Sequence, residues 1–169
     1  MVIDGRFLLY RRNSRLAMSI AIEQEAKPAA SGDSGFMKDR LRLSPDGTHV
    51  AYGAISAGRQ EVFVAAFPSF TGTVQVSTEG GVQPLWSRDG NELFYLATDR
   101  NLMSVQIRSG ARIEASAPRA LFRTPLEKVH WGSDYAISRD GQRVYVLQPL
   151  PWQPDSVHVI TRWDSEGGS

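Results

Sequence analysis

The dipeptide Asp-Gly recurs at Asp4-Gly5, Asp46-Gly47, Asp89-Gly90 and Asp140-Gly141, at spacings of 42, 43 and 51 residues. A period of this length constrains a fold tightly, because a unit too small to bury its own apolar face must stack on copies of itself. Three copies carry a fuller signature, Ser44-Pro45-Asp46-Gly47, Ser87-Arg88-Asp89-Gly90 and Ser138-Arg139-Asp140-Gly141, each between two short apolar runs. Pro or Arg suits the first central position of a type I turn, Asp the second, and Gly the left-handed residue that closes a bulged hairpin. All four Asp-Gly pairs are assigned as structural turns on this basis.

Period-two patterning follows each turn: the third residue after the glycine is Leu8, Val50, Leu93 or Val144, and the fifth is Tyr10, Tyr52, Tyr95 or Val146, which marks a strand. A second β-rich run comes at residues 17–22, 61–67, 102–108 and 156–162, and in the two central repeats a third at 74–77 and 120–123. Short inner strands are expected at 41–43, 84–86 and 135–137, with Gly80-Gly81 or Gly132 leading into the later two. Each full unit then has four strands, and Trp86 and Trp131 read as packing between units. The spacing predicts an all-β chain, a partial β-propeller built as an arc of about four blade-like four-stranded antiparallel repeats. The repeats would run over 1–38, 39–81, 82–132 and 133–163, with a tail at 164–169.

Composition narrows the function classes. Nineteen Lys and Arg against eighteen Asp and Glu leave a charge of +1, without the basic excess of a nucleic-acid binder. With no cysteine there is no disulfide framework, thiolate nucleophile or Cys-based metal site. Arg11-Arg12 followed by the apolar run at 16–22 superficially resembles a signal peptide, but Glu23 and Glu25 end the run early. No window approaches the roughly 18 apolar residues of a membrane span.

The strings Ser44-Pro45-Asp46-Gly47-x-x-Val50-Ala51-Tyr52 and Trp86-Ser87-Arg88-Asp89-Gly90-Asn91-Glu92-Leu93-Phe94-Tyr95 resemble the WD40-like (PD40) repeats of TolB-type propellers. Arg59-Gln60-Glu61-Val62-Phe63-Val64 with Phe67-Pro68, then residues 75–81, and finally residues 157–163 are similar to the last propeller blades fused behind bacterial serine/threonine protein kinases. The resemblance implies an extracytoplasmic, sensor-like interaction domain and carries over no catalytic residue. The first repeat departs from the pattern, with Ile3 in the place of the proline and Met1 inside the expected inner strand. The fourth repeat has no outer strand after Trp163. The expectation is therefore an arc cut from a longer chain, with open blade edges that invite self-association.

Residue 53–58, Gly-Ala-Ile-Ser-Ala-Gly, does not have the spacing of a nucleophile elbow. His49, His130 and His158 are isolated in sequence, and Asp46, Asp89 and Asp140 read as turn formers rather than a carboxylate set. The Ser-x-Asp-Gly turns also differ by one residue from the aspartate box of sialidase propellers. No phosphate loop or kinase signature occurs. No cofactor, metal or catalytic residue is assigned. Arg11 and Arg12 are expected in the loop between the second and third strands of the first repeat, with Arg59 and Gln60, and Arg100 and Asn101, in the equivalent loops that follow. These six residues are the candidate surface for a protein or peptide partner. The function expected is a non-catalytic interaction or sensing module. The alternative is the propeller part of a multidomain enzyme, a receptor-type kinase or a prolyl-oligopeptidase-like hydrolase, whose catalytic domain lies elsewhere.

Overall fold

A computed structural model of the chain describes residues 40–110, 112–126 and 134–147 with their side chains, and the backbone of strands at 2–3, 7–13, 16–21, 29–30, 39 and 157–161. Among the described residues there are sixteen strands, and no helix is long and apolar enough to cross a membrane. β1 (Val2–Ile3), β2 (Phe7–Asn13), β3 (Leu16–Ala21) and β4 (Ala29–Ala30) form the first sheet in chain order. β5 (Asp39–Leu43), β6 (His49–Ser56), β7 (Arg59–Ala66) and β8 (Val74–Gln75) form the second in the same way. The third contains β9 (Val82–Trp86), β10 (Glu92–Leu96), β11 (Asn101–Ser109), β12 (Ile113–Ala115) and β13 (Arg119–Arg123). The fourth contains β14 (Tyr135–Ile137), β15 (Arg143–Leu147) and β16 (Val157–Thr161). Neighbouring strands pair antiparallel throughout, and the architecture is a partial β-propeller.

Both faces of a central sheet are buried, and the sequence alternation assigns them. Leu93 and Tyr95 of β10 and Val105 and Ile107 of β11 join Ala51, Val62, Val64 and Val76 in one cluster between the second and third sheets. Phe94, Leu96 and Leu102, on the opposite face of the third sheet, join Tyr135, Val144 and Val146 of the fourth. On the other face of the second sheet, Val50 and Tyr52 lie with Ala65, Phe67 and Phe70. The third and fifth residues after a turn glycine thus face back along the arc, and the residues between them face forward. This is the period of two inherent to a strand.

Two expectations need correction. The third sheet has five strands rather than four, because β11 is nine residues long and pairs with β13 along Asn101–Ser104 and with β12 along Ile107–Ser109. Ile113 and Ala115 of the extra strand pack on the cluster shared with the second sheet, and β12 touches β7 and β8. The added strand is therefore a strap over that junction, and it lies in the repeat with the longest spacing, 51 residues. Arg11 and Arg12 lie within β2 rather than in a loop, because β2 and β3 pair up to Asn13↔Leu16 and leave only two residues for the connection.

Candidate functional site

The Ser-x-Asp-Gly turns sit at one end of the second, third and fourth sheets. Gly47, Gly90 and Gly141 have φ of +69°, +75° and +72°, the region glycine enters without a Cβ penalty. Their amides donate to the carbonyls of Ser44, Ser87 and Ser138 at 2.9, 3.2 and 2.9 Å. The serine hydroxyls donate to Asp46, Asp89 and Asp140 at 2.5, 2.6 and 2.5 Å. The same hydroxyls accept the amides of His49, Glu92 and Arg143, each at 2.9 Å. Backbone amides two residues on, from Thr48, Asn91 and Gln142, donate to the aspartates. At Asp46 burial works against the charged form, but hydrogen bonds from Ser44 and Thr48 outweigh it and bring the carboxyl down to about 2. Asp89 and Asp140 are lowered as well, first by Ser87 and Ser138. Asp4 and Gly5 lie outside the described residues.

At the opposite end are the residues selected as interaction loops, and much of their bonding is internal. Ala57 and Gly58, at φ +49° and +78°, form a two-residue hairpin turn, with Arg59 and Gln60 as the first residues of β7. Arg59 donates to the Thr78 carbonyl at 3.3 Å and lies 3.6 Å from Glu61, while the Gln60 carbonyl accepts the Gly81 amide at 2.9 Å. The Glu61 carboxylate, 2% exposed, accepts the Ser77 hydroxyl and the Gly80 amide. Arg100 repeats the pattern one sheet later. Its guanidinium reaches the Leu126 carbonyl at 3.4 Å, and its own carbonyl accepts the amide and hydroxyl of Thr124. Asn101 closes on Asp99 through its amide and side chain at 3.0 and 2.6 Å. Arg59 and Arg100 thus each clasp the segment that crosses to the next sheet. Of Arg11 and Arg12 only the backbone in β2 is described.

The junctions between sheets are not alike at the turn end. Between the second and third, the Trp86 indole donates to the Arg42 carbonyl at 3.0 Å. Pro45 lies so near Gly90 that a Cβ there would come within 3.4 Å of it. Between the third and fourth, Ile137 occupies the position of Trp86, four residues before the turn glycine, and a Cβ at Gly141 would meet nothing within 4 Å. A cleft of about 680 Å³ opens there. Its floor is apolar, from Leu85, Trp86, Phe94 and Ile137, and its rim carries the exposed Arg88 and Arg139. Among the described residues neither rim guanidinium lies within 4 Å of a carboxylate as an ion pair. The only signal of this cleft in the sequence is an isoleucine where the preceding repeat has tryptophan.

A second feature missed from sequence lies on the inner strands. Seven residues before each turn glycine stand Arg40, Gln83 and Asp134, and Arg40 and Gln83 adopt φ of +53° and +56° where their strands bulge. Gln83 donates to the Asp134 carboxylate at 2.6 Å and accepts the Asp134 amide at 2.9 Å, and its carbonyl accepts the Tyr135 hydroxyl at 2.8 Å. Complete burial raises the Tyr135 phenol far above its ordinary range.

His49 is also less isolated than its sequence suggests. Thr48 donates to Asp46 at 2.6 Å, His49 Nδ1 lies 2.7 Å from the Thr48 hydroxyl, and Nε2 lies 3.5 Å from Ser109 Oγ. The chain of bonds links the second and third sheets at an exposed surface. Nucleophilic use of Ser109 would need donors aimed at a developing oxyanion, but the adjacent Gly110 amide donates to the Arg112 carbonyl. Among the described residues no three His, Asp or Glu side chains gather as a metal site. Trp131 and His130 lie outside the described residues, as does the side chain of His158.

No family model matches the chain, and no curated protein matches it. Solved structures do. The β-propeller domain of Cps50 (Swd1) from Myceliophteria thermophila superposes with a TM-score of 0.63 at 12% identity, over 94% of this chain and 54% of that one. The tricorn protease gives 0.63 at 13% identity, over 94% of this chain and 14% of that one. TolB from Acinetobacter baumannii gives 0.59 at 12% identity, over 94% and 41%. At these identities the likeness shows the propeller fold, shared by proteins with and without catalysis. The chain spans about half or less of each.

Proposed function

We propose that the chain is a non-catalytic binding module, a propeller segment that holds a protein or peptide partner. The observation that supports this best is the cleft at the junction of the third and fourth sheets. It has ligand-site dimensions, while Asp46, Arg59 and Arg100 elsewhere are engaged in internal bonds. The TolB-like repeat strings support the same reading. That the module works within a longer polypeptide containing a kinase domain is a finer reading, supported by the resemblance of residues 59–64 and 75–81 to kinase-fused blades. The sequence encoded on either side of this segment tests it.

A second reading, a serine-dependent hydrolytic site, is favoured by the Ser109–His49–Thr48–Asp46 chain of bonds. A fluorophosphonate probe separates the two. The binding-module reading expects no labelling of Ser109 and no kinase, esterase or peptidase turnover. Labelling abolished by both Ser109→Ala and His49→Ala would overturn it. An array of random peptides supplies the positive arm, with saturable binding expected.

A further inference from the structure

We infer that Asp140-Gly141 is a site of spontaneous covalent modification, where the chain closes to a succinimide and reopens in part as isoaspartate. The Gly141 nitrogen attacks Asp140 Cγ, so that a C–N bond forms and a C–O bond breaks. The departing carboxyl oxygen leaves as water, with the amide proton and one proton from solvent. Water then adds to either ring carbonyl. Opening at the side-chain carbonyl restores aspartate, and opening at the main-chain carbonyl leaves the backbone running through Cβ and Cγ. The reaction needs no partner, and glycine at the attacking position has no side chain to obstruct it.

The second, third and fourth sheets share this glycine, and in each turn its amide donates to a serine carbonyl. What differs is how firmly the carboxylate is held. Closure requires Cγ to swing onto the following amide, so every hydrogen bond that fixes the carboxylate opposes it. Asp46 is held at both oxygens: Oδ1 accepts the Ser44 hydroxyl and the Thr48 amide, and Oδ2 accepts the Thr48 hydroxyl at 2.6 Å. Asp89 is held in the same way, with Oδ1 accepting Ser87 and the Asn91 amide and Oδ2 accepting the Asn91 side chain at 3.1 Å. At Asp140, Oδ1 accepts Ser138 and the Gln142 amide, and no donor among the described residues reaches Oδ2. The residue after the turn glycine decides this. Thr48 and Asn91 carry a donor that closes on Oδ2, whereas Gln142, one methylene longer than Asn91, makes no such bond. Asp140 is exposed, and a Cβ at Gly141 would meet nothing within 4 Å, whereas one at Gly90 would meet Pro45. Asp140 and Gly141 line the cleft between the third and fourth sheets, so reopening as isoaspartate lengthens the backbone at its rim.

Incubation of the folded protein in heavy-oxygen water, followed by peptide mapping with mass spectrometry, tests this. Each ring opening fixes one heavy oxygen at the reacting residue, and isoaspartyl peptides separate from aspartyl ones on the chromatogram. At pH about 5, where a small share of an ordinary aspartate is protonated, label should enter Asp140 at least about threefold faster than Asp46 or Asp89, the scale of one modest hydrogen bond. Gln142→Asn, which supplies the donor that Asn91 gives Asp89, should slow labelling of Asp140 by about threefold, and Asn91→Gln should speed labelling of Asp89 by a similar factor. Both substitutions fall at exposed positions. In the urea-unfolded chain the three sites should react at similar rates, since each precedes glycine. A common rate at the three aspartates of the folded protein, or either substitution leaving its own aspartate unchanged, overturns the assignment. So does absence of label at Asp140 over a period in which the unfolded chain is labelled.

Discussion

The serine of each Ser-x-Asp-Gly turn donates to the aspartate and accepts a strand amide, so hydroxyl, carboxylate and left-handed glycine work as one unit. Gly47→Val and Gly90→Val, which force a β-branched residue to φ of +69° and +75°, should each cost about 1–3 kcal/mol. Denaturant midpoints equal to wild type would contradict the turn geometry. Gly81 is required for a different reason, since a Cβ there would lie 2.8 Å from the Tyr95 ring and 2.9 Å from Ser77 Cβ. The Asp46 turn also carries a pH signature. Its carboxyl titrates at about 2 against an ordinary 3.8, so its contribution is complete above the unfolded value and is lost as pH falls from about 4 through about 2. Ser44→Ala should move the Asp46 titration, followed by NMR, back towards 3.8. An unmoved titration would show that the serine hydroxyl does not hold the carboxylate.

At the level of strands and their connections, the turn chemistry and the alternation of Val50, Tyr52, Leu93, Tyr95, Val144 and Val146 made the hairpins and both buried faces legible in the sequence. β12 was not legible, because Ile113-Glu114-Ala115 is too short to register as a period and is stabilised by what it covers in the next sheet. Burial and packing of its two apolar residues on a neighbouring cluster give a direct expectation. Ile113→Asp should destabilise by about 1–2 kcal/mol, a partial share of a buried isoleucine, and should speed amide exchange in β8 as well as β12. Faster exchange in β12 alone would mean that the strand does not strap the junction. The candidate cleft was illegible for a related reason: it exists through the difference between Trp86 and Ile137, and that difference acquires meaning only once the sheets are side by side. Arg59 and Arg100, conspicuous as charged loop residues, prove to spend their guanidinium groups on crossover carbonyls.

At the scale of the whole molecule, the fourth sheet carries an exposed apolar side chain. Leu147 is 56% exposed on the fourth sheet and alternates with Val144 and Val146, which face the third. Exposed apolar surface favours association, so sedimentation should show reversible self-association at micromolar concentration that Leu147→Glu reduces. A monomer unaffected by the substitution, with no dye-accessible apolar surface, would contradict this. The face-to-face stacking of distant repeats along an arc is most directly tested by cross-linking, because the chain has no cysteine of its own. His49 in the second sheet and Ser109 in the third, 60 residues apart in sequence, approach to 3.5 Å between Nε2 and Oγ. In dilute protein carrying His49→Cys and Ser109→Cys, a short bismaleimide should join the two positions within one chain at high yield. Failure to cross-link, or cross-links only between chains, would contradict the stacked arrangement of the second and third sheets.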